Sequence, residues 1–207
     1  MKLKIDGLQA VANLASAARA TPDAVQRAAY RSINQVATKV QTDAVRTVAS
    51  QLNLTVAYVR DKFALEKASR QNLLAVVKAG MRPIGLERFG ATQLVAKAAR
   101  AKGDVSRAIP AGRKQAGVSV KVSKTGARKK MPGAFLIPMR AGTEAGGNGK
   151  GVFIRTGKGR GDIKHLYGPS PDQLFRRYRE ENLPDIQRML ADAYASQLRF
   201  ELKGTRK

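Results

Sequence analysis

The apolar positions along this chain recur at two periods, and the change of period separates helical ends from a strand-rich middle. Val25, Ala29, Ile33, Val36, Val40, Ala44 and Val48 follow one another at steps of three and four, while Arg27, Arg31, Lys39 and Arg46 occupy other faces. This spacing predicts a long amphipathic helix. Its start is marked by Thr21-Pro22-Asp23: an N-cap oxygen, a proline at the first helical position and an acid against the helix dipole. The stripe is mostly Val and Ala, which suits close packing on a sheet or helix and reads first as core. A second helix is predicted over residues 56–68, capped by Asn53 or Thr55, with Tyr58, Val59, Phe63 and Leu65 as its apolar contacts.

The period then shortens. LLAVVK at 73–78, bounded by Gly80 and Pro83, reads as a strand, whereas 94–101 reads equally as a helix or a surface segment. VSVKV at 118–122 alternates apolar and polar residues, and AFLIPM at 134–139, GVFIRT at 151–156 and the segment 162–167 are further strands. Between them, residues 123–130, 141–149 and 157–161 carry glycine, lysine and turn formers with no apolar period. Helix returns at Ser170-Pro-Asp-Gln173, a capping box ahead of Leu174 and Phe175. Pro184 should break or restart it, and Ile186, Leu190, Ala193, Tyr194 and Leu198 form a second stripe. The expected class is α+β: long N-terminal helices, a small antiparallel β-sheet with long basic hairpin loops, and C-terminal helices. The whole chain, 1–207, is read as one domain, with a helical part (1–70), a β-rich basic part (71–169) and C-terminal helices (170–207).

Charge changes this picture more than composition does. The chain is 43% apolar, enough for a core, but its 39 Lys and Arg against 15 Asp and Glu leave a formal +24. Solubility needs far less, so the usual partners are nucleic acid, an anionic membrane or an acidic protein assembly. No run of about 18 apolar residues exists for a membrane span, and Asp6 and Gln9 interrupt the apolar stretch a secretory signal requires. No membrane partner is expected. Without cysteine there is neither a disulfide framework nor a zinc ribbon, which fits synthesis in a reducing cytoplasm. Between Arg100 and Lys164 stand sixteen Lys and Arg against Asp104, Glu144 and Asp162, so the excess is concentrated in the middle.

Catalytic chemistry is hard to assemble from these residues. His165, the only histidine, has no second histidine or cysteine and only Asp162 close in sequence, and reads as structural. Glu180 and Glu181 lie among basic helical residues and read as a solvated face. Residues 144–151 lack the first glycine of a phosphate loop and place Gly151 where its Ser or Thr belongs. Gly157, Gly159 and Gly161 lie between strands, not ahead of a helix as a dinucleotide fingerprint must. Neither an enzyme activity nor a cofactor nor a metal is expected. Loops rich in glycine and lysine follow a phosphate backbone without reading bases, and Phe135 and Phe153 are the only aromatics between Arg100 and Lys164.

PGAF at 132–135, GVFIRTGK at 151–158 and IKHLYGPS at 163–170, taken in this order and spacing, resemble the bacteriophage minor tail protein Z family of tail-completion proteins. The likeness covers most of the chain, although residues 80–117 match nothing recognisable. It implies a structural, non-enzymatic component of the virion, made in the host cytoplasm and added as the tail is finished at its head-proximal end. Its implied partners are the tail terminator, the tail tube, head-completion proteins and genomic DNA in the axial channel. It also implies a homo-oligomeric ring, with a hexamer favoured. On this reading Arg113, Lys114, Lys121, Lys124, Arg128, Lys129, Lys130, Lys158 and Arg160 contact DNA or an acidic partner, all but Lys121 from loops. Phe153, Tyr167, Gly168, Pro169, Leu174 and Phe175 form the sheet-to-helix junction or a subunit interface. On charge alone, a non-specific nucleic-acid-binding protein outside any virion is the alternative.

Overall fold

The computed structural model describes residues 2–6, 22–107, 109–139, 149–159 and 161–204. The N-cap expected at Thr21, most of the loop 141–149 and the expected contact residue Arg160 lie outside them. The chain divides into two compact units, one of Met1–Val48, Val56–Met81 and Pro171–Lys207, the other of Ala49–Thr55 and Arg82–Ser170.

In the first unit the predicted amphipathic helix forms as α1, Pro22–Gln51. Ala28, Ala29, Ile33, Val36, Ala37, Val40, Ala44, Val45 and Val48 are all buried, the stripe read from the sequence widened by its small alanines. The other long helix is α3, Pro171–Gly204. Ala28 and Ala29 pack with Tyr194 and Leu198. Gln35 receives a bond from Gln197 at 3.3 Å, and Arg27 and Arg31 both clasp the buried carboxylate of Glu201. Ascending positions on α1 meet descending positions on α3, so the two run antiparallel.

Three strands complete this unit: β1 (Lys2–Asp6), β2 (Phe63–Glu66) and β3 (Leu74–Ala79), in the antiparallel order β1-β3-β2. The short helix α2 is only Val56–Arg60, where 56–68 was expected to be helical. Main-chain bonds from Asp61 to Ala57 and from Lys62 to Val59 end it. From Phe63 the apolar residues alternate, and Phe63 and Leu65 pair with Ala79 and Val77 of β3. Phe63 also meets the Phe175 ring edge-on at 5.3 Å, so a sheet partner and an aromatic contact outweigh helix propensity there. Asn34 holds the loop between β2 and β3 through both main-chain groups of Ala68, at 2.9 and 2.7 Å.

Pro184 does not end α3, contrary to expectation. Ile186, Leu190, Tyr194 and Leu198 continue one buried stripe beyond it. The Asn182 amide donates to the Tyr178 carbonyl at 2.8 Å within this stretch. Packing of a long stripe outweighs about 3 kcal/mol of proline penalty. Burial, with a smaller contribution from the Asp43 charge, pushes the Tyr178 hydroxyl up to about 12.

The second unit holds two further three-stranded antiparallel sheets, so in place of the one small sheet expected there are three among the described residues. One has the order β4-β5-β6, formed by Thr92–Lys97, Arg113–Val120 and Lys129–Met131. The other has the order β7-β8-β9, formed by Ala134–Pro138, Lys150–Arg155 and Ile163–His165. The first half of the ambiguous segment 94–101 is strand, ending at Lys97, because β5 supplies its ladder. Residues 49–55 join this unit through bonds from Asn53 to Val122 and from Lys124 to Gln51.

The strand β5 starts five residues before the predicted 118–122, at Arg113, and it contains a bulge. Between the pairs Gln93–Val118 and Val95–Gln115, β5 advances three residues while β4 advances two. Gly117 absorbs the extra residue with φ +110°, and a Cβ there would stand 2.5 Å from the Met131 carbonyl oxygen. Gln93 ties both sheets together: its amide donates to Gly117 at 2.7 Å, and its carbonyl oxygen accepts from Leu136 at 3.0 Å.

Candidate functional site

Four of the cations expected on loops stand on strands instead. Arg113 and Lys114 open β5, and Lys129 and Lys130 lie on β6, because their main chains pair with β4 and β5. All four side chains remain exposed. Lys124 and Lys158 keep their exposed turn positions, while Lys121 is half-buried. The turn bearing Lys158 is ordered by Asp162, which accepts from Gly159 at 2.8 Å through its side chain and from Thr156 at 2.9 Å through its carbonyl.

Arg128 differs from its neighbours in kind. Its Nε donates to Ser119 Oγ at 3.1 Å, and its terminal nitrogen lies 2.6 Å from the Gly90 carbonyl, 3.1 Å from Thr92 Oγ1 and 3.0 Å from the Ser119 carbonyl. This guanidinium ties β4, β5 and the left-handed cap of the 3-10 turn Leu86–Phe89 together. The side chain is exposed, but its hydrogen bonds are already made within the unit.

The expected junction residues separate by unit. Leu174 and Phe175 belong to the first, where Phe175 packs on Phe63 and Tyr178. In the second, the His165 ring stacks on Phe153 at 4.6 Å and leans on Tyr167 at 4.3 Å. His165 Nε2 stands 3.6 Å from the Glu87 carboxylate. Asp162, its sequence neighbour, serves the turn instead. Gly168 donates to Ile84 at 2.7 Å and lies so close to the Phe89 ring that a Cβ would stand 2.5 Å from it. Pro169 follows, half-buried. These contacts make a packed structural corner around a histidine.

A basic group that the sequence did not single out lies at the outer end of the β4–β5 hairpin. Lys97 stands directly opposite Arg113, and Lys114 opposite Ala96. Arg100 and Lys102 follow on the exposed connection between the strands. The signal was available in the charge of segment 97–114, but the pairing that gathers it is not local. Among the described residues no group of three or more His, Cys, Asp or Glu is placed to hold a metal ion, and no helix is long and apolar enough to cross a membrane.

No curated protein and no solved structure matches this chain. A family model described as prophage minor tail protein Z matches residues 5–206, including the segment 80–117 that carried no recognisable motif. With helices at both ends, small antiparallel sheets between them and a match over nearly its full length, the chain belongs to the prophage minor tail protein Z family and is a structural protein of the phage tail.

Proposed function

We propose that this protein completes the tail at its head-proximal end, supporting head–tail joining and the passage or positioning of DNA, and that the chain 1–207 works there as one module. The observation that carries the reading is the match to a tail-protein family across residues 5–206 in a chain with a formal charge of +24. A protein at the end of a tail meets other tail proteins and, in the channel, a polyanion. Both suit a surface whose cations outnumber its acids. The module forms a homo-oligomeric ring, six copies favoured, in contact with the tail terminator, the tail tube and head-completion proteins. The packed corner at Phe153, Tyr167, Gly168 and Pro169 serves as a rigid element beside a subunit interface, with Tyr167 exposed for contact. Leu174 and Phe175 hold the start of α3.

The test is complementation of a phage lacking this reading frame. With the chain supplied, filled heads carry tails and deliver DNA. Without it, tails accumulate unjoined or particles fail to deliver. Normal joining and delivery in its absence would exclude tail completion while leaving a minor structural role in the tail. Native mass spectrometry of the purified chain or of tail ends checks the ring, which should appear near six times the 22.3 kDa of one chain. A strictly monomeric chain in the assembled tail end overturns it.

A further inference from the structure

We infer that the outer end of the β4–β5 hairpin, centred on Lys97, Arg113 and Lys114, is a contact site for the phosphate backbone of duplex DNA. The inference rests on the tail-completion reading and names one partner and one element within it. Lys97 and Arg113 are directly opposed across the ladder, an arrangement that places like charges about 5 Å apart at Cβ and weakens the hairpin. Lys97, Arg100, Lys102, Arg113 and Lys114 pair with no carboxylate among the described residues, and Asp104, in the same connection, lies 3.2 Å from Arg107. A folded element that holds unbalanced repulsion is completed by an external anion.

The charges are held on an ordered scaffold. The Asp104 and Ile109 main chains exchange bonds of 2.7 and 2.8 Å, Ala98 donates to Gly112 at 2.9 Å, and Gly112 donates to Ala101 at 2.8 Å. Gly103, at φ +79°, passes so close to Ala111 that a Cβ would stand 2.7 Å from its nitrogen. Ile109 is buried beneath. Little side-chain and loop ordering therefore remains to oppose binding.

Composition and placement favour duplex DNA over an acidic protein. Cross-strand partners share a face, so Lys97 and Arg113 lie on one face of the hairpin and Lys114 with Ala96 on the other, and Arg100 and Lys102 lie at its turn. Cations on both faces suit a groove with phosphates along each wall, and a two-stranded ribbon is narrow enough to enter a major groove. A protein interface ordinarily centres on aromatic or Met anchors and is depleted in lysine. This hairpin end has three lysines and no aromatic.

The experiment measures binding of a fluorescent duplex of about 30 base pairs to the full chain by anisotropy across a salt series. The variant is Lys97→Gln/Arg113→Gln/Lys114→Gln, which removes an opposed pair and so keeps the fold, as thermal melting of the same sample will report. The expected result is a log–log salt slope shallower by about 2 to 3, with affinity about tenfold weaker at low salt. Lys129→Gln/Lys130→Gln should leave most of that slope in place. Polyglutamate at equal charge should displace the labelled duplex from the parent chain less effectively than unlabelled duplex does. Parental slope and affinity in the folded triple variant overturn the inference, as does equal displacement by polyglutamate, which would assign the hairpin to an acidic protein. Neither outcome touches the tail-completion reading, whose readout is joined, infectious particles.

Discussion

Arg128, Lys129 and Lys130 are adjacent cations with different jobs. The two lysines are exposed on β6, whereas the Arg128 guanidinium reaches four acceptor atoms on Gly90, Thr92 and Ser119. Removing a charged donor that satisfies carbonyl oxygens costs about 1–3 kcal/mol, while trimming an exposed lysine costs within about 0.5 kcal/mol. Arg128→Ala should therefore lower the urea midpoint clearly and Lys129→Ala hardly at all. Equal, small shifts would show that the Arg128 bonds do not hold the sheet in solution. A triple replacement of 128–130 accordingly tests folding as much as contact. At this scale the sequence displays which residues are charged, but not which charges already have partners, because Gly90 and Arg128 are 38 positions apart.

At the scale of elements, the strongest periodicities became the strongest elements: α1 and α3 follow their apolar stripes over 30 and 34 residues. The failures were short segments. Residues 63–66 satisfy a helical stripe and a strand alternation equally well, and β3 decides between them by offering main-chain partners. The strand β1 has no local signal of its own, because its partner β3 lies some seventy residues onward. Pro184 is the clearest local signal overruled by packing. It is exposed in the interior of α3, so Pro184→Ala should restore a helical donor and raise unfolding stability by about 1–3 kcal/mol, read as a higher melting temperature. A lower melting temperature would mean that the local geometry set by Pro184 is itself needed for packing.

For the whole molecule the governing quantity is the formal +24. Self-repulsion of this size destabilises a compact state and is relieved by screening, since the Debye length shortens from about 30 Å at 0.01 M to about 10 Å at 0.1 M salt. Melting temperature should rise by about 3–6 °C between roughly 20 mM and 300 mM sodium chloride. A fall over that range would indicate that attractive ion pairs, such as the clasp of Arg27 and Arg31 on Glu201, outweigh the repulsion. The same excess makes a partner's counter-charge part of the protein's stability in the particle.

Class, helical ends, strand-rich middle, basic excess and family likeness were all legible in the sequence, because period and charge are properties of neighbouring residues. The tertiary structure decided three other things. It paired Lys97 with Arg113 across a connection of fifteen residues, gathering a basic hairpin end from a segment with no motif. It gave the exposed Arg128 acceptors on Gly90, Thr92 and Ser119, and it gave His165 the distant Glu87 in place of the nearby Asp162. Each depends on strand register, which is set by burial and hydrogen bonding between segments that no local pattern connects.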